Sequence, residues 1–155
     1  MIDDVILNKI EIIKKCIRRV KEEYDCNPKN LENYTKQDSV TLNIQRACKA
    51  VIDLGMHVIA EKGLGIPQTS RDTFEILQNN KIIDHEMSEQ LKAMIGFGNI
   101  AIHNYQRLNL KVIQAIIEKD LKNLLYFTDV ILKIQEKQCM ERCQEPFYTF
   151  EGLNT

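Results

Sequence analysis

Apolar residues recur along this chain at steps of three and four, the spacing that lines one face of a helix. Ile6, Ile10, Ile13, Ile17, Val20 and Tyr24 form the first such stripe. "CNPKN", Cys26 to Asn30, ends it, because Pro28 disfavours the α conformation at Asn27. Residues 25–37 read as a polar connection. Asp38 or Ser39 can cap a second helix, in which Val40, Ile44, Ala47, Val51, Leu54 and Val58 repeat the stepping. "KGLGIP", Lys62 to Pro67, stops it with two glycines and a proline. Thr69 or Ser70 caps a short third helix reaching about Leu77. Asp84 caps a fourth, with Met87, Leu91, Met94 and Ile95 on its inner face, and Asn109 caps the fifth and longest. That last helix carries Ile113, Ile117, Leu121, Leu124 and Ile131.

The pattern predicts an all-α, up-and-down helical bundle of four long helices and one short one. It assigns residues 1–140 to one domain and residues 141–155, where periodicity fades, to a loose C-terminal tail. Each stripe needs a facing partner. Four stripes can close on one another within one chain, and the heptad-like stepping of two helices leaves room for a dimer.

Composition narrows the function classes. The 155 residues include only 6 glycines and 3 prolines, which argues against a turn-rich β fold. A net charge of −1 advertises no general affinity for nucleic acid, so no DNA partner is expected and any RNA-binding surface must be local. No apolar run reaches the ~18 residues that would span a bilayer, so no membrane contact is expected. Residues 1–24 mix isoleucine with charges throughout, unlike a targeting segment. The 5 cysteines, an odd number, read as free thiols of a reducing, cytoplasmic chain.

Chemistry concentrates in "GFGNIAIHNY", Gly96 to Tyr105. Asn99 and His103 lie four apart and share a helix face. Gly98 and His103 diverge by about 140°, and His103 and Tyr105 by about 160°, at about 100° per residue. One regular helix therefore cannot gather all three at a point. Either the helix ends near His103 or Asn104, or a second chain supplies the other half. A histidine at such an end can exchange protons near neutral pH. It can equally be a structural cation facing the helix dipole.

This stretch resembles the signature of HepT-like proteins in the HEPN superfamily. That signature is an arginine, a polar residue, three variable residues, histidine, one variable residue and tyrosine. Asn99, His103 and Tyr105 fill the polar, histidine and tyrosine positions; Gly98 stands at the arginine position. Asn43 to Pro67 and Phe74 to Phe97 resemble the family's second helix and its approach to the site, and the similarity covers roughly residues 1–135. The resemblance implies a homodimeric, metal-independent endoribonuclease toxin that needs no cofactor. It implies proton transfer by His103, with Asn99 as polar companion. It also implies a partner nucleotidyltransferase antitoxin of the MNT type, which transfers AMP to Tyr105. Gly98 leaves the site without its fixed cation, so this form is expected to be impaired. Gly98 is either native or a substitution that makes a toxic protein producible. Arg46 or Arg107 could supply the missing charge. The alternative is a non-catalytic substrate-binding subunit that partners a minimal nucleotidyltransferase.

Other candidates are weaker. "CMERC" places Cys139 and Cys143 on one helix face, two ligands short of a structural zinc site, so no metal is expected. "KKCIRRVK", Lys14 to Lys21, reads as a solvated basic face, with an RNA-backbone contact as the alternative. His57 reads as a packed helix residue and His85 as surface. Asp53, between Ile52 and Leu54, reads as half-buried and paired with an arginine.

Overall fold

In a computed structural model of the chain, the backbone is described for residues 3–103 and 109–153, and side chains for residues 3–96 and 109–141. Helix α1, Asp4–Tyr24, starts where the Val5 N–H donates to Asp3 Oδ1 at 2.8 Å. It stops where Asp25 and Cys26 take left-handed backbone angles, just ahead of Pro28. A 3-10 turn, Pro28–Glu32, follows. Helix α2 is Tyr34–Lys62, α3 is Ser70–Asn79 and α4 is His85–His103. Helix α5, Leu110–Ala115, passes through a π turn, Ile116–Asp120, into α6, Leu121–Leu153. No strand occurs among the described residues. The chain is the all-α bundle that its stripes predict.

Differences from the predicted boundaries have local causes. The second helix starts earlier than an Asp38 or Ser39 cap allows, because the Asn33 side chain accepts from the Lys36 N–H at 3.1 Å. The segment before it is packed rather than a plain polar link. Leu31 is buried, Asn30 Nδ2 donates to the Tyr24 carbonyl at 2.8 Å, and Gln37 Nε2 donates to the Leu31 carbonyl at 3.1 Å. Thr69, not Ser70, caps α3, in a reciprocal capping box with Asp72. Asp84 and Asn109 cap as predicted, accepting from the Met87 and Lys111 N–H groups. The helical backbone of α6 also continues through residues 141–153, where the fading periodicity predicts a tail.

Helix α2 is the centre of the bundle. It packs on α1, α3, α4 and α6. Ile6, Ile10, Ile13, Ile17, Val20 and Tyr24 of α1 are all buried, as are the six predicted core positions of α2. A hydrogen bond and an ion pair tie the same two helices at their edge. His57 Nε2 meets Asp3 Oδ2 at 2.7 Å, and Lys9 Nζ meets Asp53 Oδ2 at 3.3 Å. His57 is thus a hydrogen-bonding residue at the half-exposed edge rather than a packed one. Asp53 is half-buried as expected, but its partner is a lysine and not an arginine.

On the other side of α2, Gly55 lets α3 and α6 close in. A Cβ there would sit 2.8 Å from the Thr73 methyl, 3.3 Å from Leu77 and 3.8 Å from Phe127. Phe127 in turn meets Phe74 edge to face, with ring centroids 6.1 Å apart. Such a pair contributes roughly 0.5–1.5 kcal/mol beyond burial.

The π turn gives Glu118 a long-range partner. The Tyr24 hydroxyl donates to Glu118 Oε1 at 2.5 Å, and Gln114 Nε2 donates to the same oxygen at 3.3 Å. Burial, and then the Glu118 carboxylate, push the Tyr24 hydroxyl up to about 12.

This packing sets two expectations. Gly55→Ala gains about 1 kcal/mol of helix propensity, but overpacking of a closed core costs roughly 1–3 kcal/mol. The expected net result is a destabilised chain with an unchanged denaturant slope, read from urea unfolding. Tyr24 keeps its proton longer in the folded chain than in the unfolded one. Its contribution is therefore complete below about pH 10 and lost as pH rises towards about 12. Tyr24→Phe should flatten the alkaline fall in stability across that window, measured by unfolding at a series of pH values.

Candidate functional site

The segment singled out by its chemistry sits at the C-terminal half of α4, so what holds α4 in place determines where that segment lies. Asp84 caps the helix, and the Met87 N–H donates to Asp84 Oδ1 at 2.7 Å. Leu91, Met94 and Ile95 are buried, and buried Ser88 donates from Oγ to the Phe74 carbonyl of α3 at 3.4 Å. Lys92 is nearly buried, yet its Nζ reaches Glu75 of α3 at 3.3 Å and Glu89 at 3.4 Å. The first half of α4 is therefore pinned to α3 by an apolar face, a hydroxyl and a lysine bridging two carboxylates.

Gly98, Asn99 and His103 all fall within the helical backbone of α4, and their side chains lie outside the described residues. Tyr105 and Arg107 lie outside the described residues altogether. Helical register still places the three positions. Gly98 continues the row of Leu91, Met94 and Ile95. Lys92, Gly96, Asn99 and His103 occupy a second row, within about 60° of one another at about 100° per residue.

Lys92 and Gly96, the described members of that second row, open on a groove. Lys92, Ile95 and Gly96 of α4 and Thr69, Ser70, Arg71 and Phe74 at the start of α3 line a cavity of about 370 Å³. Gly96 is exposed, and a Cβ added there would meet nothing within 4 Å. Glycine in mid-helix costs about 1 kcal/mol relative to alanine, and packing among the described residues does not require it here. Arg71 is exposed at the groove and is a cation that the sequence reading did not single out. Its only sequence signal is its place two residues after the Thr69 cap, in the first turn of α3. Arg46, named above as a substitute cation, lines a different groove, between α1 and α2.

Asp3, His57 and Glu61 form the one set of three possible metal donors among the described residues, all within 4.8 Å. Two ligands on one tetrahedral ion, at bonds of about 2.0–2.1 Å, stand about 3.3 Å apart. The 2.7 Å Asp3–His57 contact is instead a hydrogen bond. Hydrogen bonding from Glu61, then from His57 and the Val5 N–H, holds the Asp3 carboxyl well below the usual carboxylate range. The cluster fastens the start of α1 to the end of α2. Cys139 is half-buried on α6, and Cys143 lies outside the described side chains.

Known proteins share this fold. The chain is 43% identical over 129 residues to the mRNA nuclease HepT of Shewanella oneidensis, covering 83% of this chain and 97% of that one. A solved structure of a tri-AMPylated Shewanella oneidensis HEPN toxin in complex with MNT antitoxin superposes with a TM-score of 0.79. Its sequence is 42% identical, and the match covers 84% of this chain and 98% of that one. A solved toxin–antitoxin structure with AMP-PNP matches with a TM-score of 0.80 at 42% identity, over 84% of this chain and 99% of that one. Residues 6–131 match the ribonuclease HepT-like family. By this match, and by the helices that carry it, the chain belongs to the ribonuclease HepT-like family of HEPN proteins.

Proposed function

We propose that the protein is a metal-independent endoribonuclease toxin of a toxin–antitoxin pair, impaired in this form by Gly98. The observation that carries this reading is the 43% identity spanning 97% of an mRNA nuclease. Supporting it, the HEPN toxin that superposes here is tri-AMPylated and held by an MNT antitoxin.

In this reading the ribose 2′-hydroxyl of RNA attacks the adjacent phosphodiester. The new bond is O2′–P and the broken bond is P–O5′. His103 transfers the proton, and Asn99 orients it from one turn away. The phosphorane's extra charge needs a fixed cation, and position 98 offers none. Removing one such electrostatic contact costs roughly 10²–10³ in rate. Two subunits pairing along α4 bring two copies of the motif to one cleft. That answers the register problem of His103 and Tyr105, and a partner helix resting on bare Gly96 explains why that position carries no side chain. The partner nucleotidyltransferase silences the toxin by joining AMP to the Tyr105 hydroxyl. The added phosphate repels the RNA backbone and the adenosine fills the cleft. The setting is the cytoplasm, where RNA and nucleotide are both at hand.

Gly98 itself favours a second reading, a non-catalytic subunit that binds substrate for a minimal nucleotidyltransferase.

Restoring the cation separates the two. Gly98→Arg should yield RNA cleavage at least about 10²-fold faster than the present chain, measured on a labelled transcript with chelator present. Adding His103→Ala should return it to background. Co-expression with the nucleotidyltransferase should add adenylyl mass to a peptide containing Tyr105, and Tyr105→Phe should abolish that addition. A Gly98→Arg chain that leaves RNA intact and growth unaffected sinks the toxin reading in favour of the binding subunit.

A further inference from the structure

Away from α4, a trough of about 740 Å³ runs along the outer seam of α1 and α2. Lys15, Arg18 and Arg19 line it from α1, and Arg46 lines it from α2. Arg19 is engaged with Glu22 and Glu23, each at 3.5 Å. Lys15, Arg18 and Arg46 are exposed and make no ion pair among the described residues. Three uncommitted cations thus share one trough in a chain whose net charge is −1. The facing carboxylates are few. Glu22 is tied to Arg19, which leaves Asp38 at the other wall.

The trough floor does not oppose an anion. Cys16 lines it, and burial pushes that thiol above its ordinary value, so it stays neutral. Asn43 and Ser39 add polar groups to the α2 wall. Asn43 Nδ2 donates to the Ser39 carbonyl at 2.8 Å, which holds that wall in shape.

We propose that this α1–α2 trough is an anchoring site for the sugar–phosphate backbone of single-stranded RNA, separate from the α4 motif. The proposal rests on the ribonuclease reading for the choice of polyanion, and on the trough for the place. Lys15, Arg18 and Arg19 advance about 6 Å along the helix axis, and Arg46 faces them from α2. A row of cations of that length suits a chain with one charge per repeat. It is poorly matched to an isolated carboxylate or a single bound ion. Backbone contacts of this kind supply affinity without reading sequence. The trough holds the substrate while the α4 segment carries out the chemistry.

The test uses the intact chain and a fluorescent single-stranded RNA oligonucleotide, read by anisotropy over a salt series. Arg18→Glu with Arg46→Glu removes no ion pair of the fold, so melting should be unchanged. RNA binding should weaken at least about tenfold near 0.1 M salt. The slope of log K against log salt should shrink by about 1.4, at about 0.7 for each phosphate of a single strand that is no longer neutralised. Lys122→Glu with Lys133→Glu, two exposed lysines elsewhere, makes the same change in net charge and should leave both values alone. If the glutamate pair impairs folding, Arg18→Ala with Arg46→Ala should still lower the slope.

Equal affinity and slope in the trough variants, or equal losses in the control pair, overturn the proposal. So does a trough variant that keeps RNA but no longer retains the nucleotidyltransferase, since the trough is then a protein interface. Cleavage by Gly98→Arg is scored separately. Cleavage with unaltered trough binding removes the trough and spares the ribonuclease. Salt-sensitive trough binding without cleavage does the reverse.

Discussion

At Gly55 three helices approach so closely that one methyl group would have to displace a neighbour. The rest of the bundle is arranged around that contact. Helix α2 can be buried against α1 on one side and against α3 and α6 on the other because this position has no side chain. Phe127 and Phe74 fill the space just beyond it. Helix α3 so placed presents the Phe74 carbonyl to Ser88 and Glu75 to Lys92. Those contacts set where α4 runs. The position of the candidate segment therefore depends in part, through α3, on an absent side chain on α2.

The two ends of α4 follow from this in different ways. Its first half is determined by this chain alone, through the Asp84 cap, three buried apolar residues and a lysine held by two glutamates. Its second half begins at Gly96, where the described residues leave open space. In the reading proposed above, that space belongs to a partner subunit and to RNA.

Most of the helical architecture was legible because each stripe steps by three and four and is bounded by a strong cap or stop. Every core position read from α1 and α2 is buried. The readings that failed concerned side chains whose partners lie far away in sequence. Spacing within α2 does not identify the cation of Asp53, because it says nothing of Lys9 on α1. His57 looked packed because its neighbours are apolar, whereas its partner Asp3 is 54 residues away. The Asn33 cap is a local exception, hidden because the apolar stepping of α2 starts only at Val40. The candidate site was legible as a motif, since residue types in a fixed frame need no tertiary contact to be seen. Arg71 was not, because only the packing of α3 on α4 brings it to that groove.

The turn of five residues from Ile116 to Asp120 gives the last long helix an unusual freedom. A π turn absorbs one surplus residue while the helix on either side keeps its heading. Ile113 before it and Leu121, Leu124, Phe127 and Ile131 after it all reach the core. Were the same residues wound as one uninterrupted α-helix, everything beyond the turn would rotate by about 100°, and Phe127 would leave its place beside Gly55. The surplus residue is thus a phase adjuster, through which the segment entering the bundle from α4 and the segment closing it over α2 can each satisfy its own packing.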